Sequence, residues 1–556
     1  MGIFSAGCVS VLLFAASHSN AVGQAAQGPP AQIRTEASAF AAARAVSSPE
    51  QRIAALQSYL QEFPSGAHSG AARDLLLKIY LRSFPDQREP IHALATAEVM
   101  SVPPGFERWE EQARVADTLA GAEPAGADLE DAQQWAQSAL ASLTEAAYRR
   151  EMAAAQARYK LPRLTAKEIH AQYLQQRTMF LAAAAHVDLQ AGKLQDATTL
   201  LDEASALHPL SPEVNALRGQ LALAEGRNDA ALAALERADA MGGLDATWRA
   251  KELALFQAST HGDSTALQEQ IDSVYRNLYP PAFQLPRRQL PPGGHTALLE
   301  IFTGSGCAAC AGVDQAANSL LASYAPQDLA LIEFDEHIPR PDPLANPDSV
   351  ARAAFYGVEQ APQAFLDGQE VQVLGSSRQD VENIVVSLAD VIEDQAALPS
   401  SLTLQLATSW SGTGVVTVQR ILDRRPAPNG TPETSLRALA RALVFTALVE
   451  DNVRYSGENG IRFHRMVVRS LQSAPAANLF GAASQAQQTT FDIPSVRKTN
   501  DAYLAEYETT NDRFGAFQFA SPAPPLEKSH LAVVVWVQDP VTRRVLQAAF
   551  APVSAH

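Results

Sequence analysis

The chain has 556 residues, too many for one hydrophobic core, so about three or four domains are expected. It carries 60 Asp and Glu against 43 Lys and Arg, a formal charge of -17, which would repel polyanionic nucleic acid and anionic lipid surfaces and argues against binding either. Hydrophobic residues make up 47%, ordinary for globular material, and beyond the leader no apolar run approaches the ~20 residues of a membrane span.

Residues 1–25 read as a signal peptide: the short apolar run Val9 to Ala16 is followed by small residues from Ala21 to Ala25, where a signal peptidase would cut. The expected location is therefore periplasmic or secreted, although Met1 to Ser5 lack the usual Lys or Arg. Cys8 precedes the apolar run instead of following it, which argues against lipidation. Cleavage would leave only Cys307 and Cys310, so disulfides do not staple this chain, and one pair is kept for use.

Residues 35–278 are helical in pattern, with apolar residues at three- and four-residue spacing. Gly192, Ala197, Leu201 and Ala204 recur 34 residues later as Gly226, Ala231, Leu235 and Ala238, with His208-Pro209 and Ser211-Pro212 at the join. This period, with Gly at the turn and Ala at the helix crossing, resembles the tetratricopeptide repeat. Ser48 to Phe84 is a degenerate further unit. Such a region serves either as a concave surface for a protein partner or as a helical spacer.

Residues 279–294 hold five prolines in sixteen residues and are expected to be a stiff, extended linker at a domain boundary.

Residues 295–397 read as strand (Thr296 to Phe302), a loop at Thr303 to Gly306, then Cys307-Ala308-Ala309-Cys310 opening a helix that runs to Tyr324. A strand at Leu329 to Phe334, a helix at Asp348 to Tyr356, a hairpin around Asp367-Gly368 with Pro362 ahead of it, and a helix from Arg378 to Leu398 follow. This order, the CxxC and Ala361-Pro362 resemble the thioredoxin fold. A cysteine at a helix N-terminus has its thiolate stabilised by free N–H groups and the helix dipole. The resemblance implies that Cys307 attacks a substrate disulfide, that Cys310 resolves the mixed disulfide, and that Pro362 is a cis-proline beside which substrate backbone pairs. It also implies that Glu300, one residue further from the CxxC than the family pattern, is the buried carboxylate that takes the resolving proton; a plain strand-end carboxylate is the other reading.

Three departures qualify the likeness. Ser305-Gly306 replaces the aromatic residue before the first cysteine, Ala308-Ala309 carries no Pro, His or charge to tune the potential, and Glu336 to Asp348 is an insertion stiffened by four prolines. The strings around that insertion, Glu450 to His464 and Val537 to Phe550, resemble an exported bacterial thioredoxin-like family in which a β-module follows the CxxC domain. The alternative for the pair is a non-enzymatic binding protein or a copper carrier using Cys307, Cys310 and His337. His295 and His464 read as ordinary structural residues, and zinc would want more N or S ligands than these. No phosphate-cradling Gly loop, HExxH or GxSxG is present, and no cofactor is implied.

Residues 398–556 change to strand pattern, with alternation at Ser401 to Leu406 and Gly414 to Ile421 and apolar runs at Leu439 to Val449 and Ala532 to Gln538. An antiparallel β-sandwich without a catalytic motif is expected. The whole reads as a multidomain chain: helical repeats, an α/β thioredoxin-like domain exchanging electrons with protein thiols and disulfides, and a C-terminal sandwich.

Overall fold

The structure, a computed structural model, describes residues 35–121, 129–160, 163–290, 295–373, 375, 377–398, 400, 402–412, 414–424, 441–476, 487–511, 517–519 and 523–553. The expected signal peptide lies outside the described residues. These residues form two compact units, one from residues up to 239 with 243–271 and Asn511, the other from 240–242, 272–510 and 517–553.

The first unit is helical: α1 (Glu36–Arg44), α2 (Pro49–Glu62), α3 (Ser69–Ser83), α4 (Arg88–Ser101), α5 (Phe106–Ala120), α6 (Leu129–Ser142), α7 (Glu145–Tyr159), α8 (Ala166–Gln190), α9 (Leu194–Leu207), α10 (Pro212–Ala224), α11 (Asn228–Ala240), α12 (Ala246–Ser259) and the start of α13 (Leu267–Leu278). Local chemistry sets the boundaries. Ser48 and Ser211 each cap a helix whose next residue is proline, and Thr165 with Glu168 forms a capping box. The 34-residue repeat takes physical form as α8–α9 and α10–α11. Gly192 and Gly226 turn the chain with φ of 73° and 74°, a conformation that favours glycine. Ala197, Leu201, Ala204, Ala231, Leu235 and Ala238 are all buried at the helix crossings. Each fully buried leucine there contributes about 1.5–3 kcal/mol.

The second unit holds β1 (Ala297–Thr303), α14 (Ala311–Ser323), β2 (Leu329–Asp335), α15 (Pro347–Tyr356), β3 (Gln363–Leu366), β4 (Gln369–Val371) and α16 (Val381–Ala396), the element order expected for 295–397. β1 pairs parallel with β2 and antiparallel with β3, which pairs antiparallel with β4. There follow β5 (Leu402–Ser411), β6 (Val415–Arg424), β7 (Leu443–Glu450), β8 (Val453–Arg454), β9 (Phe463–His464), β10 (Val467–Pro475), β11 (Gln487–Asp492), α17 (Ile493–Thr510), β12 (Leu531–Gln538) and β13 (Val545–Pro552).

The expected separation at residue 398 needs correction. β7, β10, β12 and β13 do not make a sheet of their own; they extend the first one, giving eight strands in the order β13-β12-β7-β10-β2-β1-β3-β4. The junction is β10 against β2, with Val467 paired to Glu333 and the Glu333 N–H donating to Met466 O at 3.1 Å. A sandwich exists, but one of its layers is this shared sheet and the other is the three-stranded β11-β6-β5. β12 shows why. Ala532, Val534 and Trp536 join the core of β1, β2 and α14, while Leu531, Val533, Val535 and Val537 join the core under β5 and β6. A strand apolar on both faces belongs inside a sheet covered on both sides.

The expected linker is also corrected. Residues 279–290 are extended, but they lie along α14 as part of the second unit. Leu285 N donates to Ser319 Oγ at 3.0 Å and Arg288 N to Ser323 O at 2.8 Å, and Phe283, Leu285 and Leu290 pack on the core. The unit boundary falls earlier, within α13, where buried Asp272 holds Arg462 at 2.7 Å and Arg454 at 2.9 Å.

Candidate active site

Cys307 caps a short 3-10 turn, Ala308–Cys310, that runs directly into α14. Cys307 N donates to Gly304 O and Cys310 N to Cys307 O, both at 2.9 Å. The two sulfurs are bonded at 2.10 Å, with Cα atoms 5.3 Å apart. At this position the N–H groups of the first helical turn lack helical partners and the positive end of the dipole faces Cys307, so reduction would leave a stabilised thiolate there. The Ala361–Pro362 peptide is cis, and Ala361 O lies 3.7 Å from Cys307 Sγ. Cys307, Cys310 and the Pro362 loop, separated by some fifty residues in sequence, therefore meet.

Glu300 does not join them. Both of its oxygens are engaged: Arg352 Nε donates at 2.7 Å, Arg352 Nη2 at 3.0 Å and Tyr356 OH at 2.5 Å. Arg352 also donates to Gln538 Oε1 at 2.7 Å and sits between the rings of Phe355, Tyr356, Phe445 and Trp536, each 4.8–5.2 Å from its guanidinium carbon. The extra residue of spacing explains this. Strand side chains alternate, so residue 300 faces away from the side on which Thr303 meets α14. Glu300 is the anion of a buried, ring-enclosed ion pair that ties β1 and α15 to β7 and β12.

A different set of acids surrounds the CxxC loop. Asp314, the sole charged residue of α14, lies one helical turn beyond Cys310 and is buried. It accepts from Thr303 Oγ1 at 2.7 Å and Asn459 Nδ2 at 3.1 Å, and burial lifts its carboxyl to about 7. Asp342, from the proline-rich insertion, accepts from Ser305 N and, at 2.8 Å, from Leu344 N; burial raises it to about 6. Glu336 is raised to about 8, and Glu333 and Asp335 stand well above the carboxylate range, through burial and repulsion by their acidic neighbours. Asn459, from the turn between β8 and β9, binds Ser305 O through its N–H at 2.9 Å and Gly304 O through Nδ2 at 3.2 Å. Sequence reasoning missed Asp314, Asp342 and Asn459. A signal existed for Asp314, a lone carboxylate four residues after Cys310 on an otherwise uncharged helix.

His337, His295 and His464 are structural. His337 Nδ1 accepts from Asp342 N at 2.9 Å and its Nε2 lies 3.0 Å from Tyr503 OH, while its ring stacks 3.6 Å from Tyr507. With both nitrogens engaged and burial lowering it to about 4, His337 fastens the insertion to α17 instead of offering a ligand to Cys307 and Cys310. His295 pairs with Asp367 at 2.8 Å, and buried His464 meets Tyr455 O at 3.1 Å. Among the described residues no group of three or more His, Cys, Asp or Glu is arranged to hold a metal ion, and no helix is long and apolar enough to cross a membrane.

No protein-family model matches the chain, and no curated protein matches it. Solved structures similar to parts of it include HBP35 of Porphyromonas gingivalis (13% identity, TM-score 0.28, covering 47% of this chain and 76% of that one). The thermophilic TPR protein TTC0263 of Thermus thermophilus is 17% identical (TM-score 0.24, 37% and 90% covered). The assembly chaperone of RpL4, Acl4, is 18% identical (TM-score 0.24, 41% and 83% covered).

Proposed function

We propose that the chain is an exported thiol–disulfide oxidoreductase of thioredoxin-like type, with the helical unit as its protein-binding arm. The observation that carries this reading is the Cys307–Cys310 disulfide at a helix N-terminus with Ala361–Pro362 beside it. In the reduced form, the Cys307 thiolate attacks one sulfur of a substrate disulfide; a Cys307–substrate bond forms, the substrate S–S bond breaks, and the departing thiolate takes up a proton. Cys310 then loses its proton to Asp314 and attacks Cys307 Sγ, forming the intramolecular disulfide and releasing the second substrate thiol. Two electrons pass from the protein to the substrate, and the relative potentials set the net direction. A carboxyl held near 7 is well matched to accept a thiol proton at neutral pH. Substrate backbone pairs beside Pro362.

The test is Cys310→Ser in cells. Its remaining Cys307 is expected to accumulate mixed disulfides that run as adducts on non-reducing gels, vanish with dithiothreitol and are missing from Cys307→Ser. A Cys310→Ser protein that carries no adduct would overturn the reading.

A further inference from the structure

Cys307 must meet another sulfur to react, yet it is only 1% exposed. Ala361 closes one side of it. The loop leading into it, Thr303 to Gly306, is held between two segments distant in sequence. On one side is the proline-rich insertion: a β-carbon on Gly304 would lie 3.0 Å from Glu336 O and from Ile338 O, and one on Gly306 would lie 3.3 Å from Arg340 Cβ and 3.7 Å from its Cδ. The aliphatic stem of Arg340 thus lies across Gly306, where the likeness to thioredoxins would put an aromatic ring before the cysteine. On the other side is the turn between β8 and β9: a β-carbon on Gly457 would lie 2.7 Å from Ser305 O, and Asn459 N donates to Ser305 O at 2.9 Å. The two segments join each other through Arg340 and Glu458, whose side chains form an ion pair and remain 26% and 39% exposed.

The insertion is anchored deeply at His337 and Asp342, and the turn at Asn459. The Arg340–Glu458 pair spans their outer ends. Both of its charges meet water, so it opens at little cost. We propose that the Arg340–Glu458 ion pair is a latch that closes the Cys307–Cys310 disulfide, and that a partner sulfur reaches Cys307 only after the insertion and the β8–β9 turn part. The proposal rests on the exchange reading of this site, but its evidence is access to the disulfide and not turnover of a substrate.

The test measures how fast dithiothreitol reduces the disulfide in the full chain, by quenching with N-ethylmaleimide and counting labelled cysteines by mass. Rates are taken relative to hydroxyethyl disulfide, a neutral reference. Arg340→Glu and Glu458→Arg are each expected to speed reduction roughly two- to tenfold, the range for losing an exposed pair and gaining a like-charge contact. The double variant R340E/E458R, which restores opposite charges, should return to the unaltered rate. In the unaltered chain, with the uncharged reductant tris(hydroxypropyl)phosphine in place of the dithiothreitol thiolate that the acidic chain repels, 1 M sodium chloride should speed reduction by a similar factor, since an exposed pair is screened; this arm needs no substitution and is immune to misfolding. Unchanged rates in both single variants and in salt, or a double variant as fast as the singles, would overturn the latch. Whether the pair titrates reversibly is decided separately, so either reading can fail while the other stands.

Discussion

At the scale of single residues, two buried carboxyls, one on β1 and one on α14, have different surroundings. Glu300 neutralises Arg352, whereas Asp314 sits one turn from Cys310 without a cationic partner in hydrogen-bond contact. Glu300→Gln strips a buried guanidinium of its counter-charge and is expected to cost about 3–5 kcal/mol in urea unfolding while leaving thiol exchange intact. Asp314→Asn should act on the exchange, slowing resolution of a preformed mixed disulfide at pH 7 by roughly 10²- to 10⁴-fold, as loss of a positioned base does. Stability against pH gives a second readout. Asp314 at about 7 and Glu336 at about 8 retain protons that the unfolded chain has released by about pH 5, so the unfolded state binds fewer and stability falls as pH rises from 5 to 8. His337 and His464, held at about 4, act in the opposite sense between about pH 4 and 6.5. The oxidised protein is therefore expected to be less stable at pH 8 than at pH 6.5 in urea titrations, and Asp314→Asn to remove part of that fall.

At the scale of elements, the governing fact is the single eight-stranded sheet. Residues 295–397 contain the CxxC, but not the strands that cover β2 or the Phe445, Trp536 and Gln538 side chains around Arg352. Cut there, the fragment would expose the outer edge of β2 and the apolar faces that β10, β7 and β12 bury. A fragment of residues 295–397 is expected to give poorly dispersed amide spectra and to aggregate, whereas residues 272–556 should unfold cooperatively; a well-folded 295–397 would contradict the shared-sheet account. The sequence pattern made the elements legible because each rests on local chemistry: the 34-residue spacing of Gly192 and Gly226, the Ser48 and Ser211 caps, the strand–turn–helix around Cys307. Their assembly was not, since the Val467–Glu333 register depends on pairing across more than a hundred residues. The seven-residue apolar run of β12, Leu531 to Val537, was the available clue, because an outer sandwich strand would alternate.

At the scale of the molecule, the candidate site was half legible. Cys307, Cys310 and Pro362 sit in patterns that point to one another, and the fold brings them together. Asp342 and Arg340 reach the same loop from the proline-rich insertion, and Asn459 and Glu458 from a distant turn; the prolines mark the insertion, but nothing local marks which side chains meet the loop. The helical unit has the alanine-lined crossings and glycine turns of a repeat. The chain has three cysteines, Cys8, Cys307 and Cys310, so a change of two thiols on reduction reports on the Cys307–Cys310 pair. That makes one measurement direct: equilibrate the full chain with graded ratios of reduced and oxidised dithiothreitol or glutathione and count alkylated cysteines. The account predicts a reversible two-electron titration, with a tenfold change in ratio for about every 30 mV and the same midpoint approached from either side. A disulfide that yields only when the protein unfolds, or a dithiol that does not close again, would contradict it.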